Sequence, residues 1–121
     1  MMALRGIRGA ITVKTNSKPA IVEATTRLLT AMIDANKLKK DEIASIIFTA
    51  TADLNAEFPA TAARKLGLNS TPLLCAKEID VKTALKKCVR VLILYNTNKS
   101  QKQIKHLYLD GAKILRPDLE D

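Results

Sequence analysis

The stretch that decides the fold is Thr71–Tyr95, TPLLCAKEIDVKTALKKCVRVLILY. Its pattern predicts two short strands, Thr71–Ala76 and Cys88–Tyr95, joined by a charged turn. The second strand is apolar on both faces except at Arg90, a pattern typical of a central strand that is covered on both sides. We therefore expect the strand that carries Arg90 at the centre of a sheet.

Arg90 is the anomaly in that strand. A guanidinium cannot lose its charge, and burying it without a partner costs several kcal/mol. Arg90 therefore needs an anion: a protein carboxylate would make it structural, and a bound ligand would make it functional. Glu78 is the nearest candidate carboxylate, and Cys75 lies three residues before it. Strand and turn can thus present a thiol and a carboxylate near the same cavity.

A second arginine stands out in the N-terminal segment. Leu4–Val13 is predicted to be a strand, and the two-residue alternation of side chains places Arg8 on one face between Gly6 and Ala10. Such small neighbours leave space beside a long cation. Arg8 therefore either contacts something in that space or extends into solvent at the strand end.

The first predicted helix begins after the cap-type residues Asn16 and Ser17, has Pro19 in its first turn and runs to about Asn36. Glu23 and Arg27 form an i, i+4 pair on its exposed side. Its apolar stripe is predicted to face the core and comprises Ile21, Thr25, Leu28, Leu29 and Met32.

The second predicted helix is opened by Pro59 and closed by Gly67, with Ala60, Ala63 and Leu66 on its inner face. Phe58 stands at its entrance. That side chain serves either as a hydrophobic staple for the helix or as a wall for a ligand.

Two more strands complete the pattern, Ile43–Thr49 and Ile104–Leu109. In the latter, alternation places Ile104, His106 and Tyr108 on one face and Lys105, Leu107 and Leu109 on the other. Mixed helices and strands predict a single domain over residues 1–121, of α+β or α/β class. We expect a mixed sheet of about five strands packed with two main helices.

Composition excludes several kinds of protein. The 121 residues, 47% hydrophobic and 26% charged, suit one soluble domain. Apolar runs are too short for a membrane span, and the N-terminus has no apolar signal core, so we expect neither membrane association nor export. Two cysteines without CxxC spacing and a single histidine predict reduced thiols, a cytoplasmic location and no zinc site.

The net charge is +8, which attracts anions. Nucleic acid is the weakest candidate, because two tyrosines and two phenylalanines are too few for a base-stacking platform and the lysines are dispersed. A small anionic substrate would exploit the same field.

Five segments, in order, resemble the monofunctional chorismate mutases of the small trimeric α/β class. They are RGIRGA (5–10), TATADLNAEFPA (49–60), CAKEIDV (75–81), LKKCVRVLI (85–93) and HLYLDGAKILRPDL (106–119). The resemblance implies a pseudo-α/β-barrel homotrimer with one active site at each subunit interface. It also implies rearrangement of chorismate to prephenate, on the route to phenylalanine and tyrosine, without metal or cofactor.

The resemblance also implies a set of site residues. Arg90 would contact the ether oxygen of the breaking bond and, with Arg8 and Tyr108, the side-chain carboxylate; Glu78 and Cys75 would engage the ring hydroxyl. Those four, Arg90, Glu78, Cys75 and Arg8, form the expected catalytic set. Further substrate contacts would come from Leu74, Ala76 and Lys77 through the backbone, from Phe58, Ala60, Arg64 and Leu115 as pocket lining, and from Arg116 near the mouth.

The sequence departs from the family at Thr61, where a lysine is frequent, and at Leu74, where a threonine is frequent. The rearrangement takes place within one molecule. The protein therefore needs to hold a compact conformer and to place positive charge at the ether oxygen. The alternative hypothesis is a non-catalytic trimeric protein that binds small carboxylates, which Arg8, Arg90 and Tyr108 alone would satisfy.

Overall fold

The computed structural model describes residues 2–118, so Leu119, the last residue of the resembling segments, lies outside the described part. Within that range five strands form one mixed sheet in the order β3–β2–β4–β1–β5. The strands are β1 (Ala3–Thr12), β2 (Ile43–Ala50), β3 (Leu73–Lys77), β4 (Cys88–Thr97) and β5 (Leu107–Leu109). β4 lies at the centre, antiparallel to β1 and β2, while β3 is parallel to β2 and β5 is parallel to β1.

Helices α1 (Lys18–Asn36) and α2 (Ala60–Lys65) cover one face of this sheet. Short 3₁₀ helices occupy Lys40–Glu42, Gln101–Gln103 and Asp110–Leu115, and the last of these is called the C-terminal 3₁₀ helix below. The prediction of a mixed five-stranded sheet with two main helices is confirmed, as is the central position of the strand that carries Arg90.

The N-cap and the buried stripe predicted for α1 are confirmed, with Ser17 as the capping residue. The Ser17 hydroxyl accepts a hydrogen bond from the Ala20 amide at 3.3 Å, and Lys37, with φ of 51°, ends the helix in the left-handed conformation. All five residues of the predicted stripe are fully buried. They pack on Ile7, Ile11, Ile46, Phe48, Val91 and Ile93, which the period-2 alternation of β1, β2 and β4 points toward the helices. Gly67, with φ of 85°, follows α2 as predicted.

Gly9 sets how closely α1 approaches the sheet. A Cβ at this position would lie 2.6 Å from Met32 Sδ, 3.0 Å from the Leu107 carbonyl oxygen and 3.1 Å from Leu28 Cδ1. We expect Gly9→Ala to lower the free energy of unfolding by about 1–3 kcal/mol through overpacking. Gly6→Ala is the matched control, because its Cβ would meet only Leu92 Cδ1, at 3.4 Å. Equal denaturation midpoints for the two variants would contradict this explanation.

Two local predictions are wrong. Arg27 pairs mainly with Asp110 rather than with Glu23: its two Nη atoms donate to the Asp110 carboxylate at 3.0 and 3.2 Å. The last strand covers only Leu107–Leu109, so Ile104 does not share a face with Tyr108. Ile104 joins the main core instead, because residues 104–106 precede the strand and do not alternate.

The opposite face of the sheet, away from α1 and α2, is called the open face. The C-terminal 3₁₀ helix covers one corner of it, where Ala10, Cys88, Tyr108 and Ala112 form a second small core with Leu85 and Leu115 against them. Elsewhere the open face presents apolar side chains to solvent: Leu4 is 52% exposed and Leu74 is 61% exposed. The chain alone therefore covers one sheet face fully and the other only in part.

Candidate active site

The strand register brings several candidate residues into one row across the open face. Tyr108 pairs with Ala10, Ala10 with Arg90, Arg90 with Thr49, and Thr49 with Ala76. Residues paired directly across a sheet point to the same side. The small residue Ala10 therefore lies between Arg90 and Tyr108, and the second core covers it, so Arg90 lies at the border of that core.

Arg90 is a partly buried cation next to the carboxylate that the sequence suggested. Its Nε lies 3.4 Å from Glu78 Oε1, and the two side chains are 25% and 21% exposed. The pair is in ion-pair range, but within residues 2–118 the buried Nε has no hydrogen bond of good geometry. Glu78 thus supplies countercharge while a donor of the guanidinium stays available for an incoming oxygen.

Glu78 is held in place by its neighbours. The Thr49 hydroxyl donates to Glu78 Oε1 at 2.6 Å, and the Glu78 amide donates to the Ala50 carbonyl at 3.0 Å. The sequence analysis did not identify Thr49 as a site residue. Alternation within Ile43–Thr49 gives its face, but only the strand register shows that it lies beside Arg90.

Arg8 lies in the next row of the open face, where it pairs with Leu92. Arg90 is its diagonal neighbour, and such residues lie roughly 7–8 Å apart, with their Cβ atoms somewhat closer. Two cations at this spacing repel each other, and an anion bound between them relieves that repulsion. The Arg8 side chain is exposed and free to turn toward such an anion.

The C-terminal 3₁₀ helix brings Tyr108, Leu115 and Arg116 to the same corner. The Tyr108 hydroxyl is buried and, within the described residues, makes no hydrogen bond of ordinary geometry. Arg116 pairs with Asp118 through bonds of 3.0 and 2.9 Å, which raises the pKa of Arg116, and the nearby Tyr108 adds to that rise. Leu115 packs on the second core beneath them.

Cys88 is a buried thiol beside this row that the sequence analysis gave no role. Burial raises the pKa of Cys88 above its usual value, and the charge of Arg90 offsets part of that rise. The thiol is thus held in its neutral form, which is a poor nucleophile. It serves as apolar packing under Arg90.

The other expected site residues lie elsewhere in the chain. Cys75 is on the helix side of β3, packed against the main core. It borders a cavity of about 530 Å³ that is also lined by Phe58, Ala76 and Lys77. Ala60 is buried at the start of α2, whereas Arg64 on the same helix is exposed. Phe58 is 67% exposed, so it does not act as a buried staple.

The candidate residues therefore form two groups. One group lies on the open face and comprises Arg8, Glu78, Arg90, Tyr108, Leu115 and Arg116, with Leu74 and Ala76 on the same face at β3. The other lies around α2 and the helix side of β3 and comprises Phe58, Ala60, Arg64 and Cys75, with Lys77 bordering the same cavity. The first group can bind a carboxylate-bearing ligand through three arginines and a phenol, with one carboxylate for a hydroxyl.

The described residues hold no cluster of three or more histidine, cysteine or acidic side chains suited to a metal. None of the helices in residues 2–118 combines the length and apolarity that a membrane crossing requires.

Fold and site together define a small α+β protein with a cationic sheet face. The family model described as chorismate mutase type I matches residues 4–119, and the chain belongs to that family. It is 48% identical over 118 residues to the chorismate mutase AroH of Thermus thermophilus, covering 97% of each chain. It is 43% identical over 119 residues to the AroH of Bacillus subtilis, covering 98% of this chain and 94% of the relative.

A solved structure, titled chorismate mutase from Clostridium thermocellum, shares the fold with a TM-score of 0.89 and 53% sequence identity. The match covers 90% of this chain and 97% of that one. The resemblance found in the sequence segments is confirmed by these relatives.

Proposed function

We propose that this chain, which family and relatives identify as a chorismate mutase and isomerase of aromatic amino acid biosynthesis, converts chorismate to prephenate on the open face. Residues 1–121 act as one catalytic domain. The observation that carries this proposal is the partly buried Arg90, whose Nε lacks a hydrogen bond although Glu78 lies 3.4 Å away. This donor is fixed by the central strand before any substrate arrives, so it needs no reorganisation during the reaction.

The rearrangement breaks a C–O bond and forms a C–C bond within one molecule, so no nucleophile or external proton is required. As the C–O bond lengthens, negative charge develops on the ether oxygen. Arg90 stabilises that charge, while Arg8 and Tyr108 bind the side-chain carboxylate of the substrate. Glu78, held by Thr49, accepts a hydrogen bond from the ring hydroxyl. Holding the substrate at three points selects the compact conformer in which the reacting carbons meet.

We further propose that each active site lies between two copies of the chain in a homotrimer with the pseudo-α/β-barrel arrangement. Two observations support this. Apolar residues of the open face, including Leu4 and Leu74, are exposed in the single chain, and exposed apolar patches mark interaction surfaces. The group around Phe58 and Arg64 lies apart from the row of Arg90, so a second copy can supply it.

In that arrangement Phe58, Ala60 and Arg64 of one subunit line the site whose cations, with Leu74 and Ala76 of β3, belong to its neighbour. Cys75 and the backbone groups beside it approach the ring hydroxyl, and Leu115 and Arg116 close the mouth. Thr61 and Leu74 leave the site with fewer polar side chains. Free thiols at Cys75 and Cys88 support the proposal of a cytoplasmic location.

Purified protein without added metal or cofactor is expected to convert chorismate to prephenate, because every group invoked belongs to the chain itself. The loss of chorismate is followed by ultraviolet absorbance against an uncatalysed control. Saturable binding without product would instead establish the non-catalytic carboxylate-binding alternative. A rate no higher than the control, with no binding, would rule out both.

A further inference from the structure

The outer edge of β1 is completed by side chains where no strand is available. β5 pairs with β1 only over residues 9–11. Ahead of that segment, the Gln101 amide donates to the Gly6 carbonyl at 2.7 Å and accepts from the Gly6 amide at 3.1 Å. The His106 ring then accepts a hydrogen bond at Nδ1 from the Arg8 amide, at 3.0 Å. Side chains thus replace main-chain partners along the edge that carries Arg8.

His106 is itself fixed from the helical layer. The buried Asn36 side chain donates to the Lys105 carbonyl at 2.9 Å and accepts from the Lys105 amide at 2.8 Å. This pair of bonds sets the backbone next to His106, and through the imidazole it sets the backbone of Arg8. The ring is neither a metal ligand nor an acid–base group of the proposed mechanism.

We propose that His106 is a positioning residue that holds Arg8 for substrate binding through its Nδ1 acceptor, and that its protonation releases Arg8. This inference rests on the role proposed above for Arg8 in binding the side-chain carboxylate. A neutral imidazole that accepts at Nδ1 carries its proton at Nε2. Once protonated, the ring presents an N–H at both nitrogens and can no longer accept from the Arg8 amide.

The charges around the ring favour its neutral form. Burial lowers the pKa of His106 below its ordinary value of 6.5, and the charges of Arg116 and Arg8 lower it further. Arg8 faces the ring from β1, and Arg116, paired with Asp118, faces it from the segment after the C-terminal 3₁₀ helix. Lys105 is the charged neighbour on its own segment. Between 6.5 and the lower folded pKa the unfolded chain binds more protons, so stability falls as the pH drops through that window.

The test compares the pH dependence of KM and kcat in three proteins. His106→Asn keeps an acceptor near the Nδ1 position but cannot titrate, and His106→Leu removes the acceptor. Wild type should show a KM for chorismate that rises as the pH falls below the His106 pKa, with kcat little changed, because Arg8 binds ground state and transition state alike. His106→Asn should lose this rise. His106→Leu should have, at every pH, a KM about tenfold above the wild-type value at neutral pH, the effect of one lost hydrogen bond.

Three outcomes would overturn the proposal. An acid rise in KM that persists in His106→Asn would assign the titration to another group. A wild-type KM that falls with acid would mean that a cationic ring assists the dianion instead. A normal KM in folded His106→Leu would show that Arg8 needs no such support.

A measurement without turnover separates this proposal from the function itself. The chain has one histidine, so its ring NMR signals belong to His106. As the pH is lowered through the folded pKa of His106, the Arg8 amide resonance should titrate with the ring in wild type and stay constant in His106→Asn. If the Arg8 amide chemical shift does not change as the His106 ring titrates, the positioning role is wrong even if catalysis is normal. Absent turnover with coupled titration would instead count against the proposed function alone.

Discussion

Arg90→Ala is expected to lower kcat/KM for chorismate by about 10²–10³ or more, the loss typical of removing a preorganised donor from the site of developing charge. Arg90 lies on the central strand with Ala10 on one side and Thr49 on the other, so neither residue paired with it across the sheet carries a positive charge. The loss should appear mainly in kcat, because the ether oxygen becomes strongly negative only as the bond breaks. Steady-state kinetics followed in the ultraviolet measure it.

Two controls separate catalysis from structure. Arg90→Ala leaves Glu78 without its cation, so the double variant Arg90→Ala/Glu78→Gln removes both charges and should recover stability without recovering turnover. Lys102→Ala removes one exposed positive charge that lies outside the row of Arg90. It tests how far the overall positive charge of the protein, and not Arg90 itself, affects the rate. If folded Arg90→Ala turned over chorismate at the wild-type rate, Arg90 would be a structural cation only.

Much of the fold follows from local patterns. The doubly apolar Cys88–Tyr95 segment predicts a central strand, and the stripe of α1 predicts the face that is buried. The suggested pairing of Arg90 with Glu78 is also present, at 3.4 Å. These features depend on the identity and spacing of nearby residues, which a sequence states directly.

The row from Tyr108 to Ala76 could not be predicted in this way. Alternation gives the face of each side chain, but the register between strands distant in sequence decides which residues meet. The C-terminal 3₁₀ helix was not predicted either. It starts at Asp110 with φ of 53° and buries only Ala112 fully, so it has no apolar periodicity to reveal it. Bonds such as Asn36 to Lys105 and His106 to Arg8 carry no periodic pattern. They join side chains to backbone across 69 and 98 residues.

A site shared between subunits predicts that two inactive variants restore activity when mixed. Arg64→Glu places a negative charge on the exposed face of α2, where it should repel the substrate dianion without disturbing the core. Arg90→Ala removes the cation from the open face. Each variant alone should lose nearly all activity, since each trimer would contain the same defect in all of its sites.

In trimers refolded from an equal mixture, some sites combine an intact Arg90 from one subunit with an intact Arg64 from the next. Random assembly makes this about one quarter of all sites, so activity should return to about a quarter of the wild-type value. A mixture of Arg90→Ala with Glu78→Gln is the matched control. Arg90 and Glu78 lie on the same side of the proposed interface, 3.4 Å apart in the wild-type chain. Every site assembled from this mixture therefore carries one of the two changes. No restoration in the test mixture would place the two groups within a single chain and remove the reason for a shared site. Restoration in the control would contradict the position of Arg90 and Glu78 on one side of the interface.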